Sequence, residues 1–289
     1  MDATIWGCRG SLAVPGPGTV RHGGNTSCVE VELADGTLLV LDAGTGVRSL
    51  GLRLAEQEGP IHVLLTHLHL DHLEGLAFFL PIWSAGRDVH IWGPRSPLES
   101  LEDRIARYFS PPLFPIDIHD IPADLTFHDT PEEPWTIGGA RIEAQPVSHP
   151  GPTLGYRVSA DGGSLTYIPD HEPALGGDLE ALPPEWISGF AVADRADVLL
   201  HDSQYFEAEY ETKVGWGHSS VATAVAFARA ARVGRLVLFH HDPLHTDDDL
   251  VELGARAREL WGDDGVPPEL AVEGTTMKLA GRMAAAGHG

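Results

Sequence analysis

Thr66-His67-Leu68-His69-Leu70-Asp71-His72 is the stretch on which the reading of this chain turns. Three imidazoles and a carboxylate fall within six residues, directly after the apolar run Ile61-His62-Val63-Leu64-Leu65. Neutral imidazole and carboxylate are the usual ligands of zinc and related divalent metals. His67, His69 and Asp71 alternate, so on extended chain they project to one side. Asp71 and His72 are adjacent and diverge, which suits two metals better than one. Leu73 to Phe79 reads as a helix, with Asp71 and His72 near its start. The plain alternative is a solvated, histidine-rich loop in a chain with 16 His among 289 residues. So dense a ligand set at the end of a buried-type strand favours the metal site.

At 289 residues and 43% hydrophobic, the chain has material for a sizeable core, in one large domain or two tightly joined halves. It carries 19 basic and 42 acidic side chains, a formal net charge of −23. Such a surface repels a long phosphate backbone, so extensive nucleic-acid binding is disfavoured. A small anion held at a metal is not excluded. Cys8 and Cys28 make no disulfide framework and read as reduced thiols. No signal peptide is expected ahead of the first strand, and no apolar run reaches the length of a membrane span. The expectation is a cytoplasmic protein without a membrane partner; a homodimer stays open.

The remaining elements are placed by turn and periodicity signals. Thr4 to Cys8 reads as a strand, followed by a Pro-Gly loop. In Arg21-His22-Gly23-Gly24-Asn25-Thr26-Ser27-Cys28 the glycines allow close backbone approach and the polar side chains offer hydrogen bonds. Ala34-Asp35-Gly36 turns a hairpin between Cys28–Leu33 and Thr37–Leu41. Asp42 ends the second strand beside glycines, and a helix covers Val47 to Glu56. Val89–Trp92 reads as a strand and Pro97–Tyr108 as a helix. The proline-rich segment Ser110 to Pro122 is irregular; Tyr108, Phe109 and Phe114 form either a lid or, more simply, a packed loop. Strands follow in Trp135–Ala144, Thr153–Ser159 and Ser164–Ile168. Asp197–Leu200 leads into His201-Asp202. Ser219 or Ser220 caps a helix from Val221 to Ala231. Arg235–Phe239 is a core strand delivering His240-His241, Asp247–Trp261 is a helix, and a closing strand lies near Leu270–Leu279. Ala286-Gly287-His288-Gly289 is expected to fray.

The HxHxDH motif after a strand resembles the signature of the metallo-β-lactamase superfamily. The resemblance runs from Gly7 to about Asp249 and implies an α/β (α+β) fold: an αββα sandwich of two mixed β-sheets flanked by helices, here as a single domain over residues 1–289. It also implies a site for two divalent metal ions, zinc first, with manganese or iron(II) equally suited to these ligand types. His67, His69 and His149, the last in Pro146-Val147-Ser148-His149-Pro150-Gly151, would hold one ion. Asp71, His72 and a C-terminal His would hold the other, with Asp170 bridging. Alignment on Pro243 favours His240 as that His, with His241 as the alternative. Asp42 matches an early Asp that braces the site, and His171 and Glu172 receive no ligand role.

The run Gly215-Trp216-Gly217-His218-Ser219-Ser220, with Phe239-His240-His241, resembles the ribonuclease Z-like phosphodiesterase branch. There a His before a helix donates a proton and a carboxylate supports it. His218 and Asp202 match those roles, although the family more often has Glu at the place of Asp202. Asp71, His218 and Asp202 make up the expected catalytic set. Only twenty residues separate His149 from Asp170, which leaves no room for the long arm of transfer-RNA-processing enzymes. The chain therefore looks closer to phosphoribosyl cyclic phosphate and cyclic-nucleotide phosphodiesterases. The expected activity is hydrolysis of a small, cyclic phosphodiester by a dimetal-activated hydroxide. Arg9, Arg21 and His22 are candidate phosphate or lid contacts. The rivals are a ribonuclease Z-like RNA-processing endonuclease, an ester, thioester or lactone hydrolase of the same fold, and a metal-binding sensor or interaction domain with little turnover.

Overall fold

Fourteen strands form two mixed sheets of seven in the computed structural model, which describes residues 1–263 and 265–279 apart from the Glu180 side chain. The C-terminal Ala-Gly-His-Gly lies outside the described residues. The first sheet contains β1 (Asp2–Gly7), β2 (Cys28–Glu32), β3 (Leu38–Leu41), β4 (Ile61–Leu64), β5 (Asp88–Gly93) and β6 (Asp124–Asp129). The second contains β7 (Trp135–Ile137), β8 (Ala140–Pro146), β9 (Leu154–Ala160), β10 (Gly163–Ile168), β11 (Val198–Asp202), β12 (Arg235–Phe239) and β13 (Glu269–Leu270). β14 (Thr276–Lys278) returns to the first sheet and pairs with β1.

Each sheet is antiparallel through its first strands and then parallel, β3 to β6 in one and β10 to β13 in the other. Sequence pattern explains the division. β1 alternates buried and partly exposed residues, as an antiparallel strand does. β10, β11 and the Leu-Val-Leu-Phe run of β12 are buried on both faces, as central strands must be. Ile5, Val31, Leu41, Tyr156, Leu165 and Phe239 fill the space between the sheets. Helix α1 (Val47–Arg53) covers the outside of the first sheet through Val47 and Leu50, against Val63 and Ile91. Helices α6 (Val221–Ala230) and α7 (Asp247–Trp261) cover the second through Phe227, Leu253 and Trp261. The layering is helix, sheet, sheet, helix, as the HxHxDH resemblance implies.

Several boundaries differ from the sequence expectation. The helix read over Leu73–Phe79 is instead α2 (Leu70–Leu73), which contains Asp71 and His72, followed by two 3₁₀ turns. Gly75 lies so close to the Gly44 carbonyl that an added Cβ would sit 2.0 Å from its oxygen, and Pro81 stops a longer helix from forming beyond it. Strand β6 gives no sequence signal because it is an edge strand with half-exposed residues. The helix expected over Pro97–Tyr108 shortens to α3 (Leu101–Ala106), capped by Ser100. Short helices α4 (Phe190–Ala193) and α5 (Glu207–Tyr210) link strands of the second sheet. The expected closing strand splits into β13 and β14, which belong to different sheets.

Candidate metal centre

One edge of the sandwich gathers the ends of parallel strands from both sheets. β3 delivers Asp42, β4 the His67–His72 segment, β10 Asp170, β11 Asp202 and β12 His240. His149 arrives on the turn between β8 and β9. Ligand sites in sheets with parallel strands favour this carboxyl edge.

Two ligand groups share one carboxylate. His67, His69, His149 and Asp170 place one ligand atom each within 4.8 Å of one another, and so do Asp71, His72, Asp170 and His240. Asp170 Oδ2 lies 3.7 Å from His67 Nε2 and 3.6 Å from His149 Nε2. Its Oδ1 lies 2.9 Å from His72 Nε2 and 3.2 Å from His240 Nε2. The buried carboxylate thus turns one oxygen to each group. His67 Nε2, His72 Nε2 and Asp170 Oδ1 are buried without a directed hydrogen bond, despite the short His72–Asp170 separation. Unpartnered buried polar atoms are costly and call for an explanation. Donor atoms gathered this closely supply it, since divalent ions fit this donor set.

The alternation argument does not account for the grouping. His67 and His69 leave the end of β4 on irregular backbone and join His149. Asp71 and His72 lie on α2 and face the second group. The helix, rather than an extended strand, parts the motif between the two groups.

The other ring nitrogens are fixed from behind. His72 Nδ1 donates to Asp42 Oδ2 at 2.7 Å, and Asp42 also accepts from Thr66 N at 2.7 Å and Tyr167 Oη at 3.0 Å. His149 Nδ1 donates to the Gly217 carbonyl at 2.8 Å, and His240 Nδ1 donates to Gln204 Oε1 at 3.2 Å. Each contact leaves Nε2 turned to the other donors of its group, the usual way a ligating His is oriented. Asp42 and His240 both sit at positive φ, 59° each, where a non-glycine residue is strained. The strain lies at the two strand ends that support the centre.

Electrostatics point the same way. Burial opposes charge on Asp170, yet His240, His72 and His67 hold its carboxyl well below the usual carboxylate range. Burial likewise opposes charge on Asp71, which His72 and His240 hold below that range. Against burial, the carboxylates of Asp170, Asp71 and Asp42 push the His72 imidazole well above 6.5. Without cations, the carboxylates draw protons to this site.

His218 stands beside the two groups. Its Nδ1 is 2.7 Å from Asp202 Oδ2, and its ring stacks on His240 at 4.9 Å. Asp202 also accepts from the backbone of His171, Gln204 and Ser219. Burial lowers the His218 pKa, but the Asp202 charge and hydrogen bond outweigh it and raise the group to about 9. Asp202, His218 and His240 form a third close grouping. There the Asp202 and His218 atoms already bond each other, and His240 belongs to the second ligand group.

Other candidates are placed elsewhere. His241 points away from the ligands: its Nε2 lies 3.0 Å from the Ala271 carbonyl, and burial lowers its pKa to about 3. Arg9 is fully buried and donates to the carbonyls of Gly23, Asp242 and His245, so it is no phosphate contact. His22 Nδ1 pairs with Asp247 at 2.9 Å, and Arg21 pairs with Asp248. These three tie the first loop to α7 and do not reach the ligand groups. His171 and His201 hydrogen-bond each other behind Asp202. Phe109 is buried and Phe114 packs on it at 4.6 Å, so this segment is a packed loop rather than a lid. Ser220 caps α6, while the Ser219 hydroxyl donates to the His171 carbonyl. Cys8 and Cys28 are buried and unpaired.

Three supports have no signal in the sequence. The Ser11 N–H donates to Asp71 Oδ2 at 2.7 Å, and Gln204 orients His240. Glu172 accepts from Gly215 N, Gly217 N and Tyr210 Oη, fixing the loop that carries both His218 and the carbonyl holding His149.

A family model described as the β-lactamase superfamily domain matches residues 37–241, well over half of the chain. This chain belongs to the β-lactamase superfamily. Among relatives of this superfamily member, a ribonuclease Z from Myxococcus xanthus (strain DK1622) is 27% identical over 287 residues, covering 85% of this chain and 90% of that protein. Among solved structures, the metallo-β-lactamase-fold protein YhfI from Bacillus subtilis superposes with a TM-score of 0.69 at 18% identity, over 96% of this chain and 99% of that one. A diphosphatase of the PhnP family superposes with a TM-score of 0.66 at 19% identity, over 96% and 97%. Among the described residues, no helix is long and apolar enough to cross a membrane.

Proposed function

We propose that this superfamily member is a metal-dependent hydrolase of small phosphodiesters, cyclic ones foremost, working with two divalent ions. The observation that carries the reading is the His218–Asp202 pair, hydrogen-bonded at 2.7 Å beside two ligand groups that share Asp170. His67, His69 and His149 would hold one ion, Asp71, His72 and His240 the other, and Asp170 both. Zinc is the first candidate, with manganese and iron(II) compatible with the same donors. Bound there, such ions acidify water towards neutral pH and neutralise charge on phosphoryl oxygens.

The chain's own residues do the rest. Asp202 accepts from His218 Nδ1, which leaves Nε2–H as the proton donor. An alkoxide is a poor leaving group, so a proton delivered to the departing oxygen accelerates the reaction. Asp71 is held by the Ser11 N–H, and Asp42 keeps the His72 tautomer fixed. Glu172 sets the distance between His218 and His149 through the 215–217 loop.

β9 and β10 occupy the connection between His149 and Asp170. With the net charge of −23, this favours a small substrate. The likeness to ribonuclease Z over 85% of the chain supports a second reading, an RNA-processing endonuclease.

A panel on protein loaded separately with zinc, manganese and iron(II) tests the proposal. Cyclic and bis-aryl phosphodiesters should be cleaved, and a lactone and a thioester should not. Faster cleavage of a 3′-extended transfer-RNA precursor than of any small diester would favour the second reading. Lactone or thioester hydrolysis without phosphodiester cleavage would overturn both, and binding of two ions with no turnover would make the chain a sensor.

A further inference from the structure

A cavity of 680 Å³ opens beside His67 and His69, with Leu70, Leu73, Tyr108, Leu113, Pro150 and Pro152 among its walls. It adjoins the space over the ligand groups, and Leu68, His69 and Leu70 line both. That second space is bounded by Asp71, Asp170, His218 and His240. A phosphoryl group placed there has the apolar cavity next to it.

We propose that this cavity is a subsite for a compact apolar ring esterified to the phosphate; the inference rests on the phosphodiesterase reading. Leu70 and Leu113 are 58% and 71% exposed in the walls of a concave surface. Large apolar side chains presented to solvent in a cleft are stabilised when an apolar group covers them. The wall is preformed. The Tyr108 hydroxyl donates to the Glu74 carbonyl at 2.6 Å, and Phe109 and Phe114 pack in the same loop. Charge also fits. In a chain of net −23, none of the described lining residues is acidic, and Arg104 and Arg107 stand in the wall. Arg104 donates to the carbonyls of Pro94 and Ser100, and Arg107 pairs with Glu99. The cavity therefore sets no carboxylate of its lining against an anionic phosphodiester and offers its arm an apolar contact surface. Away from His67 and His69, the polar side chains of the lining are Ser96, Tyr108, Arg104 and Arg107, and the Tyr108 hydroxyl and both guanidinium groups already have partners within the protein.

The test pairs cleavage with binding in zinc-loaded protein. The five-membered cyclic phosphates of 1-phenylethane-1,2-diol and ethane-1,2-diol share one reacting ring. The phenyl substrate should have the higher kcat/KM by about tenfold or more, the scale of burying a ring in an apolar pocket. Phenylphosphonate should outbind methylphosphonate by a similar factor in calorimetry. Leu113→Asp, at an exposed position, should abolish both preferences while melting at the temperature of the unsubstituted protein. Equal kcat/KM for the two cyclic phosphates overturns the inference and leaves the phosphodiesterase reading standing, and so does a preference that survives Leu113→Asp. Failure to cleave either substrate overturns that reading instead, and the phosphonates then decide the cavity alone. Phenylphosphonate binding no tighter than methylphosphonate overturns the subsite.

Discussion

His218→Gln removes a titrating imidazole and keeps a side chain that can hydrogen-bond Asp202. In the metal-stripped protein His218 is held at about 9 against an ordinary 6.5, a gap corresponding to about 3 kcal/mol of stability. A folded-state pKa above the unfolded one stabilises fully below 6.5, and that stability is lost as pH rises through about 9. Urea unfolding of EDTA-treated protein should therefore find the variant less stable than the wild type at about pH 6, with the difference shrinking by about 3 kcal/mol at about pH 10. Effects of the substitution that do not depend on pH cancel between the two conditions. Reconstituted with zinc, the variant should keep its metal content and lose about 10²- to 10⁴-fold in kcat on a diester with an alkyl leaving group. With a 4-nitrophenyl leaving group, which needs no proton, the loss should be small. An unchanged stability difference at the two pH values would refute the Asp202–His218 charge pairing. Equal kinetic losses on the two diesters would refute the proton-donor role.

Asp170→Ala removes the carboxylate shared by the two groups, so zinc content by atomic emission should fall below that of the wild type; two fully retained ions would sink the bridging assignment. His240→Ala should lose metal from the second group, whereas His241→Ala should retain it, because His241 faces the Ala271 carbonyl; the reverse result would exchange their roles. Glu172→Gln exchanges one acceptor oxygen for a donor against Gly215, Gly217 and Tyr210. Metal content should hold while kcat drops by about tenfold, on the scale of one or two lost hydrogen bonds, with KM little changed; unaltered kcat would show that the loop does not need Glu172.

The local chemistry was legible in the sequence. Imidazole and carboxylate at the spacing of His67 to His72 mark a metal centre wherever the chain folds. The resemblance they carry implied the two mixed sheets, and the apolar runs of β10, β11 and β12 identify themselves as buried strands. What lay beyond reach depends on where the backbone turns. Adjacent His240 and His241 are chemically identical, and only the left-handed turn at His240 decides which ring faces Asp170. Motif alternation put Asp71 with His67 and His69, but a single helical turn at Leu70–Leu73 carries it across to the other group. Arg9, Arg21 and His22 had the charge for phosphate contacts, yet they brace the first loop against the far end of the chain. Glu172, Gln204 and the Ser11 N–H act on partners 45, 36 and 60 residues away. No local pattern encodes such contacts. Residue type and spacing in His67-Leu68-His69-Leu70-Asp71-His72 therefore mark a metal centre and, by resemblance, a fold, without naming a reaction. Tertiary structure decided how its ligands divide and what holds each ring, because hydrogen-bond geometry exists only once distant strand ends meet at one edge.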